Sequence, residues 1–156
     1  MKKMFLILSL AVGLYACSGN APKQDTPATG STPTTESGNP SYDPERGSGK
    51  FKDVAVSPTL DTKMADAGLK VYEVKCASCH KLTDEKLVGP GWKDVTKRHK
   101  PEWILNFITN TDEMLEKDAK AQAMLELCLV RMPNQSLSDE EARASYEFMR
   151  KNDGVK

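Results

Sequence analysis

The chain has little with which to build a metal cluster of its own. Among 156 residues there are two histidines and four cysteines. Cys17, Cys128 and His99 form no close-spaced pair, so a structural zinc site has too few ligands. One charge sign is not in excess either: 22 basic and 22 acidic residues balance. A chain of that kind is not a general binder of nucleic acid or other polyanions. Apolar stretches long enough to cross a membrane are missing. So is any alternating apolar pattern, which excludes strands and with them the βαβ setting of a thioredoxin-like redox pair. No internal repeat is present.

What the chain does have is Cys76-Ala77-Ser78-Cys79-His80. Cys-x-x-Cys-His is the attachment signature of c-type haem. Two thiols three positions apart can add to the two vinyl groups on one porphyrin edge. The imidazole that follows is then carried under the iron as an axial ligand.

The N-terminus points to export. Met1-Lys2-Lys3 is a short basic region, and Met4 to Gly13 is apolar except for Ser9. This is the length of a signal peptide rather than of a membrane span. It closes in Leu14-Tyr15-Ala16-Cys17, which resembles a bacterial lipobox, with Tyr15 an unusual filler. Residues 1–17 are therefore expected to be a lipoprotein signal ending in a lipidated Cys17, which would hold the protein at a bacterial membrane facing the periplasm. Ser18 after the cysteine leans towards the outer membrane. Losing Lys2 and Lys3 with the leader leaves 20 basic against 22 acidic residues.

Residues 18–53 are rich in Pro, Thr, Ser and Gly and poor in large apolar side chains. Such a stretch buries too little surface to offset its ordering entropy, so a disordered linker is expected. About 35 residues of this kind reach roughly 30–35 Å.

Residues 54–156 are expected to form one domain. Helical spacing marks Thr62 to Cys79, with Asp61 or Thr62 as cap. Gly89-Pro90-Gly91 breaks a loop over Lys81–Lys100. Pro101 opens the next helix, one or two more lie within Asp112–Val130, and Pro133 ends them. Ser138 and Glu141 make a capping box for the last helix. Lys93, Lys97, Arg98 and Lys100, with Lys81 and Lys86, form either a basic patch or a solvated face.

A thioether is the soft ligand that raises a haem potential. Met132, before Pro133 and outside regular helix, is the expected sixth ligand. Met114, Met124 and Met149 sit at helical spacing and read as core filler. His99, flanked by Lys97, Arg98 and Lys100, reads as a surface histidine. Cys128 falls on an apolar face and reads as a buried, inert thiol.

Together, Cys76–His80, Val88-Gly89-Pro90-Gly91-Trp92, Met132-Pro133-Asn134-Gln135 and Leu137-Ser138-Asp139-Glu140-Glu141 resemble a class I cytochrome c over roughly Met64 to Arg150. The resemblance implies an all-α cytochrome c fold, four to five helices around one covalent haem c. Cys76 and Cys79 would form the thioethers. His80 would be the proximal and Met132 the distal iron ligand, with the Pro90 carbonyl holding the imidazole. Gly68, Tyr72 and Phe148 (or Tyr146) would form the crossing of first and last helix, with Ser145 a departure from the usual aliphatic residue.

The function implied is an electron carrier, not an enzyme, working between respiratory membrane complexes. Its partners would be a quinol-oxidising complex and a terminal oxidase or reductase. Two alternatives are a haem-based small-ligand sensor or enzyme with an open or displaceable sixth position, and a fixed electron-input subunit of a larger oxidoreductase.

Overall fold

A computed structural model describes residues 42–156. Cys17 and most of the linker lie outside these residues. The described chain holds six helices: α1 (Thr62–Lys75), α2 (Val95–Arg98), α3 (Pro101–Thr109), α4 (Thr111–Lys117), α5 (Ala119–Cys128) and α6 (Asp139–Asn152). There is no strand among the described residues, only an isolated bridge between His80 and Lys86. The fold is all-α. Its helix count exceeds the expected four to five by one, because the loop after His80 winds one short helix, α2; within Asp112–Val130 Asp118 separates the two helices, α4 and α5, that the sequence allowed. The Asp118 carboxylate caps α5 by accepting from the Ala121 amide at 2.8 Å.

The capping signals act where the sequence puts them. Asp61 accepts from the Met64 amide at 2.9 Å and starts α1. Ser138 and Glu141 exchange side chain-to-backbone bonds at the start of α6. Each such cap contributes about 1 kcal/mol.

Helices α1 and α6 cross tightly, and Gly68 makes the approach possible. A Cβ there would overlap the carbonyl of Ala144. Tyr72 and Phe148 meet at the same crossing, ring centroids 5.3 Å apart. Ser145 is buried and its hydroxyl donates back to the Glu141 carbonyl at 2.8 Å, so no orphan polar group is left there. The segment before α1 is docked by a buried ion pair on α6. Arg150 and Glu147 lie 2.6 Å apart, Arg150 also donates to the Ser57 carbonyl, and Glu147 accepts from the Asp61 amide.

The expected linker boundary at residue 53 is too late. Residues 42–53 form a strap over α3 and α4. Buried Asn106 clamps it: its amide donates to the carbonyls of Arg46 and Phe51 at 3.0 and 2.9 Å, and its oxygen accepts from the Phe51 amide at 2.9 Å. Gly47, at φ 70°, turns the strap against Met114. The Tyr42 hydroxyl donates to Asp118. Hydrogen bonds to side chains of the domain, together with the packing of Phe51 against the core, order this polar stretch.

Candidate haem site

Helix α1 stops at Lys75, and Cys76 begins a tight turn rather than continuing the helix to Cys79. The amides of Cys79 and His80 both donate to the Cys76 carbonyl at 3.0 Å. That turn sets both thiols and the imidazole at one end of an apolar cleft. Cys76 is buried and Cys79 half-buried, and neither is in a disulfide. Burial pushes the Cys76 thiol up to about 11, so it is neutral near pH 7.

His80 is fixed from several directions. Its Nδ1 donates to the Pro90 carbonyl at 2.9 Å. This leaves the Nε2 lone pair free for a metal. Burial pushes the imidazole below its usual range, against the opposing pull of the Pro90 bond, so the neutral ligating form is favoured. The Tyr72 hydroxyl donates to the His80 carbonyl at 2.7 Å, and Trp92 packs 5.5 Å from the ring. Gly89 passes so close that a Cβ would overlap the imidazole. The loop is itself anchored, with the Gly89 amide donating to Cys79 and the Trp92 amide to Lys81, both at 2.9 Å.

Met132 lies on the same cleft as His80, on the chain that leaves α5 through Leu129, which has φ 60°. The cleft's largest lobe is about 420 Å³ and is walled by Trp92, Ile104, Phe107 and Ile108. Met114 is core, as its spacing suggests. Met124 and Met149 pack into the core but also line the cleft, so they do more than fill. Cys128 is half-buried on the cleft wall rather than sealed in the core.

His99 is not a surface residue. It is half-buried and stacks on Trp103 of α3, centroids 4.2 Å apart and planes 14° from parallel. Its charged neighbours point elsewhere: Lys97 pairs with Asp94, and Arg98 donates to the carbonyls of Gly91 and Lys93. Lys81 and Lys93 pair locally as well, with Glu85 and Asp84, which is the pattern of a solvated face.

The donor set fits a covalently held haem. Two unpaired thiols stand at the cleft end, a histidine offers Nε2 with its tautomer fixed, and a thioether shares the cleft. Helical fold and site together define an all-α, mono-haem protein of the c type. The chain matches the family model for cytochrome c over residues 65–153. It is similar in structure to cytochrome c from Rhodothermus marinus, at 31% identity and TM-score 0.65, over 67% of this chain and 90% of that one. An engineered cytochrome c from Rhodothermus marinus aligns at 31% identity and TM-score 0.67, over 71% and 98%. The same engineered protein bound to a carbene intermediate gives 31% and 0.64 over the same shares. No curated protein matches. The chain belongs to the cytochrome c family, as a class I mono-haem member with covalent haem c and an electron-carrier kind of function.

Proposed function

We propose that this cytochrome carries single electrons between respiratory membrane complexes on the periplasmic side, with His80 and Met132 as axial ligands. Its donor would be a quinol-oxidising complex and its acceptor a terminal oxidase or reductase. The observation that carries this reading is the shared cleft. The Nε2-presenting His80 and the thioether of Met132 line one apolar cavity, and a His/Met pair favours a high-potential electron-transfer centre.

When bound, the haem supplies a one-electron ferric/ferrous couple. Cys76 and Cys79 would hold one edge of it covalently. Pro90 keeps the proton on His80 Nδ1, and Gly89 and Trp92 fix the ring plane. The apolar wall excludes water, which keeps reorganisation small. Met132 would fill the remaining iron position.

Cys17 would carry lipid and anchor the domain at the membrane, on the basis of the leader's pattern alone. No helix of the described residues is long and apolar enough to cross a membrane. Stopped-flow mixing of the full-length protein with a quinol-oxidising complex tests the role. Reduction in a second-order, salt-sensitive phase supports it, and no reduction on the turnover timescale contradicts it.

A second reading has one observation in its favour. The engineered Rhodothermus marinus neighbour holds a carbene intermediate. A displaceable Met132 would open this chain's sixth position to small ligands, which CO binding to the reduced protein would reveal.

A further inference from the structure

Helix α5 forms one wall of the cleft and leads to the distal ligand, yet much of it is weakly seated. Met124 and Cys128 of α5 line the cleft, and the chain then runs on to Met132. Ala121 alone of the helix is fully buried. The C-terminal end stands in solvent, with Leu127 75% and Leu129 85% exposed. Lys86 donates to the Leu127 carbonyl at 2.8 Å, and Arg131 pairs with Asp112 and Glu116 of α4 at 3.1 and 3.8 Å. These bonds are exposed, and bonds of that kind contribute little.

The N-terminal end is held differently. Asp118, which caps α5, is 0% exposed. Lys120, two residues on, pairs instead with Glu45 of the strap. A buried carboxylate without a paired cation depends on hydrogen-bond donors. Asp118 takes one from the Ala121 amide at 2.8 Å and one from the Tyr42 hydroxyl of the strap. Burial, then the bond to Asp118, holds that hydroxyl well above its usual range, so it remains a donor. The strap is itself pinned to α3 by Asn106, and to α4 by the Ser48 amide, which donates to the Met114 sulfur at 3.0 Å.

Without the Tyr42 hydroxyl, Asp118 keeps a single side-chain donor, the Ala121 amide. A buried acceptor left short of partners carries its desolvation cost uncompensated. It must turn towards water or take up a proton, and the first turn of α5 shifts with it.

We propose that Tyr42 and Asp118 are positioning residues for the iron's sixth ligand: the strap locks α5 onto the domain, and α5 keeps Met132 in place. The lock sets how often the thioether leaves the iron. No electron moves in that step. The sulfur departs with its lone pair, the iron stays ferrous, and an incoming CO places its carbon lone pair in the freed position. This inference rests on Met132 as the axial ligand and deepens that reading. A strap that only stabilised the fold would lower the melting temperature and leave ligand exchange alone.

The test is stopped-flow CO binding to the reduced, full-length holoprotein, with the far-red iron–thioether band of the ferric protein recorded alongside. At saturating CO the limiting rate reports how often Met132 leaves the iron. Tyr42→Phe keeps the ring and removes the donor, so its limiting rate should rise about fivefold, the worth of one hydrogen bond, with the band retained. Asp118→Asn keeps an acceptor for the Ala121 amide and can still bond Tyr42, so it should stay near the wild-type rate. Gly68→Ala, overpacked at the α1–α6 crossing, should unfold more easily yet bind CO at the wild-type rate. A Tyr42→Phe rate equal to wild type, or a Gly68→Ala or Asp118→Asn rate raised as much as that of Tyr42→Phe, overturns the lock and leaves Met132 as the ligand. A wild-type protein without the band overturns the ligand reading and the lock with it.

Discussion

The Nδ1 of His80 lies 2.9 Å from the carbonyl oxygen of Pro90, and Gly89 between them in the loop has no room for a side chain. The bond and the close approach belong together. The loop can bring its carbonyl to the ring only because residue 89 lacks a Cβ. Gly89→Ala should push the imidazole aside and destabilise the holoprotein by about 1–3 kcal/mol. For a domain of roughly 100 residues, each kcal/mol lowers the melting temperature by about 4–8 °C. An unchanged melting temperature would show that the loop relaxes freely.

Gly68→Ala sets two effects against each other. Alanine favours the helix by about 1 kcal/mol. Overlap with the Ala144 carbonyl opposes it, and overpacking costs about 1–3 kcal/mol, with backbone the least able to give. Denaturant unfolding should show net destabilisation. A gain in stability would mean that α1 and α6 are not locked at this crossing.

Asn106→Ala removes all three bonds between α3 and the strap. Each is worth about 0.5–1.5 kcal/mol. Unfolding should register a loss of about 1–3 kcal/mol, less than the sum because freed strap groups regain water. Limited proteolysis should then cut within residues 42–53 first.

Acid should weaken the start of α6. The Lys75 side-chain bond, then the Ser138 amide, holds the Glu141 carboxyl below its usual range. A depressed carboxyl contributes stability that is present above its unfolded value, about 4.3, and is lost as pH falls through the lower folded value. Thermal melts between about pH 5 and 2 should show this loss, and Glu141→Gln should show less of it. Equal acid sensitivity in the variant would assign the effect to other carboxylates.

The attachment motif was readable because its chemistry is local. Cys76, Cys79 and His80 need only their spacing. Met132 stood out because Pro133 ends helical periodicity beside it, and the Ser138–Glu141 box because both partners lie within one turn. The strap was not readable. Asn106 reaches it across 60 residues to Arg46, through backbone groups that every sequence has. His99 misled for a related reason. Its neighbours Lys97, Arg98 and Lys100 are hydrophilic, while the residue that buries it, Trp103, looked like ordinary helix core. Met124, Met149 and Cys128 read as packing because apolar spacing does not tell a core from a cofactor wall.

Removing the thiols should remove the covalent bond and nothing less. Cys76→Ala with Cys79→Ala should yield protein whose haem, if present, extracts into acid acetone. Haem that stays with the denatured polypeptide would contradict attachment at these residues.

The account turns on the sixth iron position, and the far-red iron–thioether band with the midpoint potential measures it most directly. Wild-type ferric protein should show the band. Met132→Ala should keep its haem, lose the band, bind CO when reduced, and fall substantially in potential. A wild-type protein without the band, or a Met132→Ala protein unchanged in spectrum and potential, would contradict the His80/Met132 electron-transfer centre.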